Sequence, residues 1–244
     1  MRPPTLLLHG FLGCGADWDA VRAHLPASWD VRAPDLPGFG EAVGLPEAAY
    51  TMDGAADRLG ASVGGKADVV GYSMGGRLAL FFALRHPGRV RRLVLVSASP
   101  GLRTEAERAD RRRLDAERAA ALAANPEAFH RDWVQMPLFE SLDPALRDRL
   151  VADRLAHVDP TEAGRSLRGM GTGAQPSLWT GLSRIPTPAW AVAGALDSKF
   201  VRLAREMAAS GPITPVVFPE AGHALPAEAP AALAALLTDF LSDG

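Results

Sequence analysis

The sequence predicts an α/β fold: a mostly parallel central sheet, helices on its faces and a helical insertion between two strands. Three observations predict it. Short apolar runs alternate with longer amphipathic segments, the pattern of a parallel sheet covered by helices. A G-x-S-x-G turn, Gly71-Tyr72-Ser73-Met74-Gly75, joins an apolar run to a helical one. Between Pro100 and about Leu182 strand-like runs vanish and charged helical segments take over.

In chain order, the apolar run Thr5 to Leu8 is the first expected strand, followed by an amphipathic helix over Asp17 to Leu25. Trp29 to Ala33 reads as a strand, and the breakers Asp35-Leu36-Pro37-Gly38 mark the loop after it. Met52 to Val63 reads as a helix, Asp68 to Gly71 as a strand, and Met74 to Arg85 as the helix after the serine turn. His86-Pro87-Gly88 breaks the chain again before a strand over Val90 to Ser97. In the insertion, Thr104 to Ala124 reads as one long helix stopped near Asn125-Pro126, and Asp143 to His157 as another. The sheet pattern then resumes: strand Ala189 to Ala193, helix Phe200 to Ala209, strand Thr214 to Phe218, helix Ala227 to Leu241. The expected division is a core of residues 1–99 and 183–244, with residues 100–182 inserted as a helical lid. An added bundle with no part in binding is the alternative.

Composition bounds the function. A chain of 244 residues fits a single α/β domain, and 48% hydrophobic residues suffice for a sizeable core. A charged fraction of 22% argues against disorder. No stretch approaches the roughly 18 apolar residues of a membrane span, and the N-terminus lacks a signal-peptide pattern. The single cysteine, Cys14, forms no intrachain disulfide, which fits a reducing cytoplasm. A net charge of −2 gives no electrostatic case for nucleic acid. Nearly all basic residues are arginines, a compositional bias, so arginine content alone marks no site. There is no H-E-x-x-H, no Cys/His cluster, no G-x-G-x-x-G and no Walker loop, so neither a metal nor a nucleotide cofactor is expected. The sequence sets no oligomeric state.

The chemistry is carried by the serine turn. It is so sharp that side chains two residues either side of the serine clash, so both positions need glycine. Its strain holds the hydroxyl out at the strand end, and the helix starting there points its positive end at the site. A serine hydroxyl is weak until another group takes its proton. Asp197, in Ala193-Gly194-Ala195-Leu196-Asp197, stands just beyond one apolar run, and His223, in Glu220-Ala221-Gly222-His223, just beyond the next. Both are expected at strand C-termini, the sheet edge where such sites form. Asp197 would orient His223, and His223 would shuttle the proton of Ser73. The backbone N–H groups of Phe11 and Met74 are the expected oxyanion donors, one such donor typically being worth about 3 kcal/mol. His9 is expected to brace its loop. His24, His86, His130 and His157 are expected in surface or structural roles.

The chain order Ser, acid, His and the turn resemble the α/β-hydrolase superfamily over the whole length. Within it, the narrower likeness is to the SHCHC synthase family of menaquinone biosynthesis. It rests on Leu8-His9-Gly10-Phe11-Leu12-Gly13, Ser99-Pro100-Gly101-Leu102, Trp133 with Pro137-Leu138-Phe139, and Asp197-Ser198-Lys199-Phe200. Above all it rests on Leu167 to Trp179, which ends in Gln175-Pro176-Ser177-Leu178-Trp179. The resemblance implies a carbon–oxygen lyase that eliminates pyruvate from 2-succinyl-5-enolpyruvyl-6-hydroxy-3-cyclohexene-1-carboxylate, giving 2-succinyl-6-hydroxy-2,4-cyclohexadiene-1-carboxylate without a cofactor. Its small polycarboxylate substrate suits guanidinium groups, which grip carboxylates with two prongs. The resemblance assigns Arg77, Arg111 and Arg154 to that role and Tyr72, Trp133 and Gln175 to the pocket wall. Choosing Arg111 over Arg112 and Arg113 rests on the resemblance alone, because the run Glu107 to Arg113 also reads as a solvated face with intrahelical pairs. One departure is Pro226, which stands where the family often has a second histidine. A carboxylic-ester or thioester hydrolase with the same residues, and a non-catalytic binding module, are the alternative readings.

Overall fold

The structure, a computed structural model, describes residues 2–242. Six strands form one wholly parallel sheet: β1 (Thr5–Leu8), β2 (Val31–Arg32), β3 (Ala67–Tyr72), β4 (Val90–Val96), β5 (Ala189–Gly194) and β6 (Ile213–Phe218). Their spatial order is β2-β1-β3-β4-β5-β6. The central strands are apolar on both faces. Leu6 and Leu8 of β1, with Leu93 and Leu95 of β4, join the core on one face. Leu7, Val70, Val94 and Val96 join the core on the other. That is the period-two alternation of a sheet covered by helices on both sides.

The helices are α1 (Asp19–Arg22), α2 (Met52–Ser62), α3 (Met74–Arg85), α4 (Glu105–Ala124), α5 (Pro126–Val134), α6 (Pro144–His157), α7 (Pro160–Met170), α8 (Ser198–Ser210), α9 (Leu225–Glu228) and α10 (Pro230–Ser242). Four of them, α4 to α7, lie between β4 and β5, where the helical insertion is expected. The Tyr50 hydroxyl donates to Glu162 of α7, and Gly44 N–H donates to the same carboxylate (2.9 Å), so α7 is tied to the loops before α2.

Three local differences from expectation have a proline in common. Asn125-Pro126 ends α4 as expected but also begins α5, with Asn125 capping Ala128 N–H (3.0 Å) and Pro126 in the first turn. Asp159-Pro160 starts α7 in the same way, a helix the periodicity does not reveal. The final helix is broken at Ala229, because the residue before Pro230 is pushed out of helical geometry. Elsewhere, Asp17 to Leu25 is a 3₁₀ turn (Gly15–Trp18) followed by the short α1. At the sheet edge β2 has shrunk to two residues.

Between β1 and β3 the strand order switches direction, since β2 lies to one side of β1 and β3 to the other. A crevice at such a switch point, beyond the strand C-termini, is where parallel sheets hold ligands. Gly10-Phe11 follows β1 there, and Ser73 follows β3.

Candidate active site

Ser73 has φ +50° and ψ −108°, a left-handed backbone uncommon for a residue with a side chain. Its neighbours allow it. A Cβ on Gly71 would sit 2.3 Å from the Gly75 carbonyl oxygen, and one on Gly75 would sit 2.3 Å from the Leu8 carbonyl oxygen. Both glycines are therefore required by backbone approach, and the hydroxyl is carried on a rigid turn at the first residue before α3.

The three residues far apart in sequence meet. His223 Nε2 lies 3.1 Å from Ser73 Oγ, and His223 Nδ1 lies 2.8 Å from Asp197 Oδ2. The other Asp197 oxygen accepts from Phe200 N–H (3.1 Å), so the carboxylate is fixed by capping α8 as well. His223 is 1% exposed and packed among Phe200, Tyr72 and Phe139. Burial holds its pKa below the ordinary imidazole value, opposed by the hydrogen bond and charge of Asp197. The ring is therefore neutral at neutral pH, with Nδ1–H donated to Asp197 and Nε2 open to the serine proton.

The first loop is braced as expected. Leu36 N–H donates to His9 Nε2 (2.9 Å), which leaves His9 Nδ1–H to donate to the Gly10 carbonyl (2.8 Å). Among the described residues, the N–H groups of Phe11 and Met74 donate to no backbone carbonyl.

A cavity of about 480 Å³ lies against Gly10, Phe11 and Tyr72 and is covered by Trp133, His130 and Arg154 of the helical segment. Trp133 meets Phe11 edge-on at 5.1 Å. Pro226 also borders this space. Arg154 reaches the core but is held there by Asp17 through two bonds of 2.7 Å each.

Arg77 and Arg111 lie outside that wall. Arg77 is 9% exposed and donates to the Met170 carbonyl (2.8 Å) and Gln175 Oε1 (3.0 Å), both neutral. Burial, then repulsion from Arg111, pulls its pKa down to about 10. Gln175 is fully buried and holds Arg77. Arg111 bonds inward to Asp115 (2.7 Å), which is 2% exposed and also accepts from Gly173 N–H (3.2 Å). Arg112 and Arg113 instead pair with Glu105 and Asp110 on the outer face of α4.

The alpha/beta hydrolase family matches residues 5–236. The chain belongs to this α/β-hydrolase family. It is 35% identical over 253 residues, 98% of this chain and 92% of the relative, to the 2-succinyl-6-hydroxy-2,4-cyclohexadiene-1-carboxylate synthase of Enterobacter sp.. The structure of MenH from S. aureus superposes with a TM-score of 0.90 at 30% identity, over 99% of this chain and 95% of that one. A malate-bound thermophilic esterase from Thermogutta terrifontis superposes at 0.76 with 26% identity, over 99% and 90%.

Sequence reasoning missed several groups around this site. The Glu228 carboxylate accepts from Gly222 N–H and Ala224 N–H, each at 2.8 Å, bracketing His223. Its place five residues beyond the histidine was the available signal. Asp17 was hidden because its partner, Arg154, is 137 residues away, and Asp115 because its i,i+4 spacing from Arg111 also fits a solvated helix face. His130, expected in a surface or structural role, is 2% exposed, borders the cavity and, among the described residues, finds no partner for either ring nitrogen. His24 and His157 are exposed, and His86 lies 3.4 Å from Asp57.

Proposed function

We propose that this α/β-hydrolase-fold enzyme is a lyase that eliminates pyruvate from 2-succinyl-5-enolpyruvyl-6-hydroxy-3-cyclohexene-1-carboxylate, with Ser73, His223 and Asp197 as its proton-transfer chain. The relatives named as that synthase at 31–35% identity support the reaction class. The single observation that carries the substrate class is Arg77, one helical turn past the serine, buried and charged and, among the described residues, bonded to no carboxylate. A desolvated guanidinium paired only with neutral acceptors is poised for an anion.

In this mechanism His223 takes the hydroxyl proton as Ser73 removes a ring proton made acidic by the succinyl carbonyl. Negative charge gathers on that carbonyl oxygen, facing the N–H groups of Phe11 and Met74. The electron pair moves through the ring, the carbon–oxygen bond breaks, and the enol of pyruvate leaves and tautomerises. No acyl-serine forms. Arg77, Arg111 and Arg154 orient the carboxylates, the last by exchanging Asp17 for substrate. Helices α4 to α7 act as the lid, with Tyr72 and Trp133 as pocket wall and Gln175 holding Arg77 in place. The lone Cys14 supports a reducing compartment, the cytoplasm.

The likeness to the thermophilic esterase favours one second reading, a carboxylic-ester hydrolase using the same residues. The test offers the protein the enolpyruvyl cyclohexene acid, with pyruvate followed by a coupled assay, and separately an activated ester. Pyruvate without an ester burst supports the lyase. A burst with brisk ester turnover and little pyruvate supports the hydrolase.

A further inference from the structure

The inner face of α4 carries more positive charge than it neutralises. Arg111, Asp115 and Arg118 follow one another at spacings of four and three, so they share a face. Asp115 is buried and already holds Arg111 and Gly173 N–H. Arg77 approaches the same pair from α3, close enough to be repelled by Arg111 and attracted by Asp115. Among the described residues, then, Asp115 is bonded by Arg111 and lies within electrostatic reach of Arg77 and Arg118.

Arg118 is the least provided for. It is partly buried, and burial followed by repulsion from Arg111 lowers its pKa. Among the described residues it pairs with no carboxylate. Its contacts are soft: Met136 Sδ at 3.8 Å and the Trp133 ring, 5.4 Å from its guanidinium carbon. Trp133 in turn packs on Phe11, whose N–H is the proposed oxyanion donor. A cation held over an aromatic face, with one weak N–H bond to a thioether, keeps most of its N–H donors available for an anion. Like charges gathered in a desolvated place cost stability unless an anion completes them.

We propose that Arg118 is a further substrate-binding residue, which with Arg111 grips one carboxylate of the substrate while facing the Trp133 ring. The inference rests on the polycarboxylate substrate proposed above. It also gives a reason why, among the described residues, Asp115 leaves the nearby arginines under-neutralised: full neutralisation within the protein would leave nothing for the ligand. The remaining arginines of this helix, Arg108, Arg112 and Arg113, pair with Glu105 and Asp110.

The test is a binding measurement that needs no turnover. The enolpyruvyl cyclohexene acid is titrated by calorimetry into the Ser73→Ala protein and into Ser73→Ala/Arg118→Gln, at two salt concentrations. Kd is expected to rise at least about tenfold in the double variant, the loss of one charge-assisted contact, with a shallower salt dependence. Arg118→Lys in the same background should recover part of the affinity. Arg113→Gln, on the outer face and 74% exposed at its side chain, should leave Kd unchanged. Equal affinity with and without Arg118, whether or not the melting temperature drops, overturns the inference alone and makes Arg118 a packing residue. No binding to the Ser73→Ala protein overturns the substrate reading together with it.

Discussion

Asp115→Asn isolates the electrostatics of the arginine cluster. The substitution keeps the shape and one acceptor oxygen but removes the carboxylate that, among the described residues, is bonded to Arg111 and within electrostatic reach of Arg77 and Arg118. Asp115 lies 2.7 Å from Arg111 Nε. With charge centres about 4 Å apart and an effective dielectric near 20, the attraction is on the order of 4 kcal/mol. The Arg111 side chain is 28% exposed, so water screens a good part of this. About 2–3 kcal/mol remains once the weakened Gly173 N–H bond is included. For a chain of this size that lowers Tm by roughly 4–12 °C. Thermal unfolding followed by circular dichroism reads it. Adding citrate, a soluble tricarboxylate, should narrow the gap between variant and wild type, because an anion can stand in for the missing charge. A variant that melts within a degree of wild type, or a gap indifferent to citrate, would refute the idea of an under-neutralised cluster.

Two further perturbations address the proton chain. The pH profile of kcat/KM should rise through the His223 titration, because only the neutral ring accepts the serine proton. Burial places that acid limb below the usual imidazole value of about 6.5, so the rate is already level at neutral pH. An acid limb centred above 6.5 would contradict this. Glu228→Ala removes the acceptor of two N–H groups that bracket His223. Steady-state kinetics should show kcat reduced about tenfold with KM little changed, since the effect is on the placement of the ring, and Glu228→Gln should be intermediate. An unchanged kcat would make Glu228 a purely structural clamp.

The central strands were legible because they are mostly buried on both faces and read as short apolar runs. Thr5–Leu8 matches to the residue, and β3, β4 and β5 differ by a residue or so at their ends. The serine turn was legible because its glycines are demanded by backbone approach, which leaves a mark in the sequence. The acid and the histidine followed from position at strand ends. The proline junctions were ambiguous for a physical reason: proline ends one helix and is equally suited to the first turn of the next. Residues that act through a distant partner, such as Asp17 on Arg154 and Gln175 on Arg77, leave no local pattern. The arginine run shows the limit most clearly. Three adjacent residues of one type, Arg111 to Arg113, differ only in which way they turn, and burial of Asp115 four residues on decides it.

The most direct measurement is pyruvate release from the enolpyruvyl cyclohexene acid by wild type and by Ser73→Ala, under single-turnover conditions with a coupled lactate dehydrogenase readout. A proton chain through Ser73 predicts release by wild type and a loss of at least about a hundredfold in the variant. Release by Ser73→Ala at close to the wild-type rate would contradict it, and so would a wild-type protein that releases none.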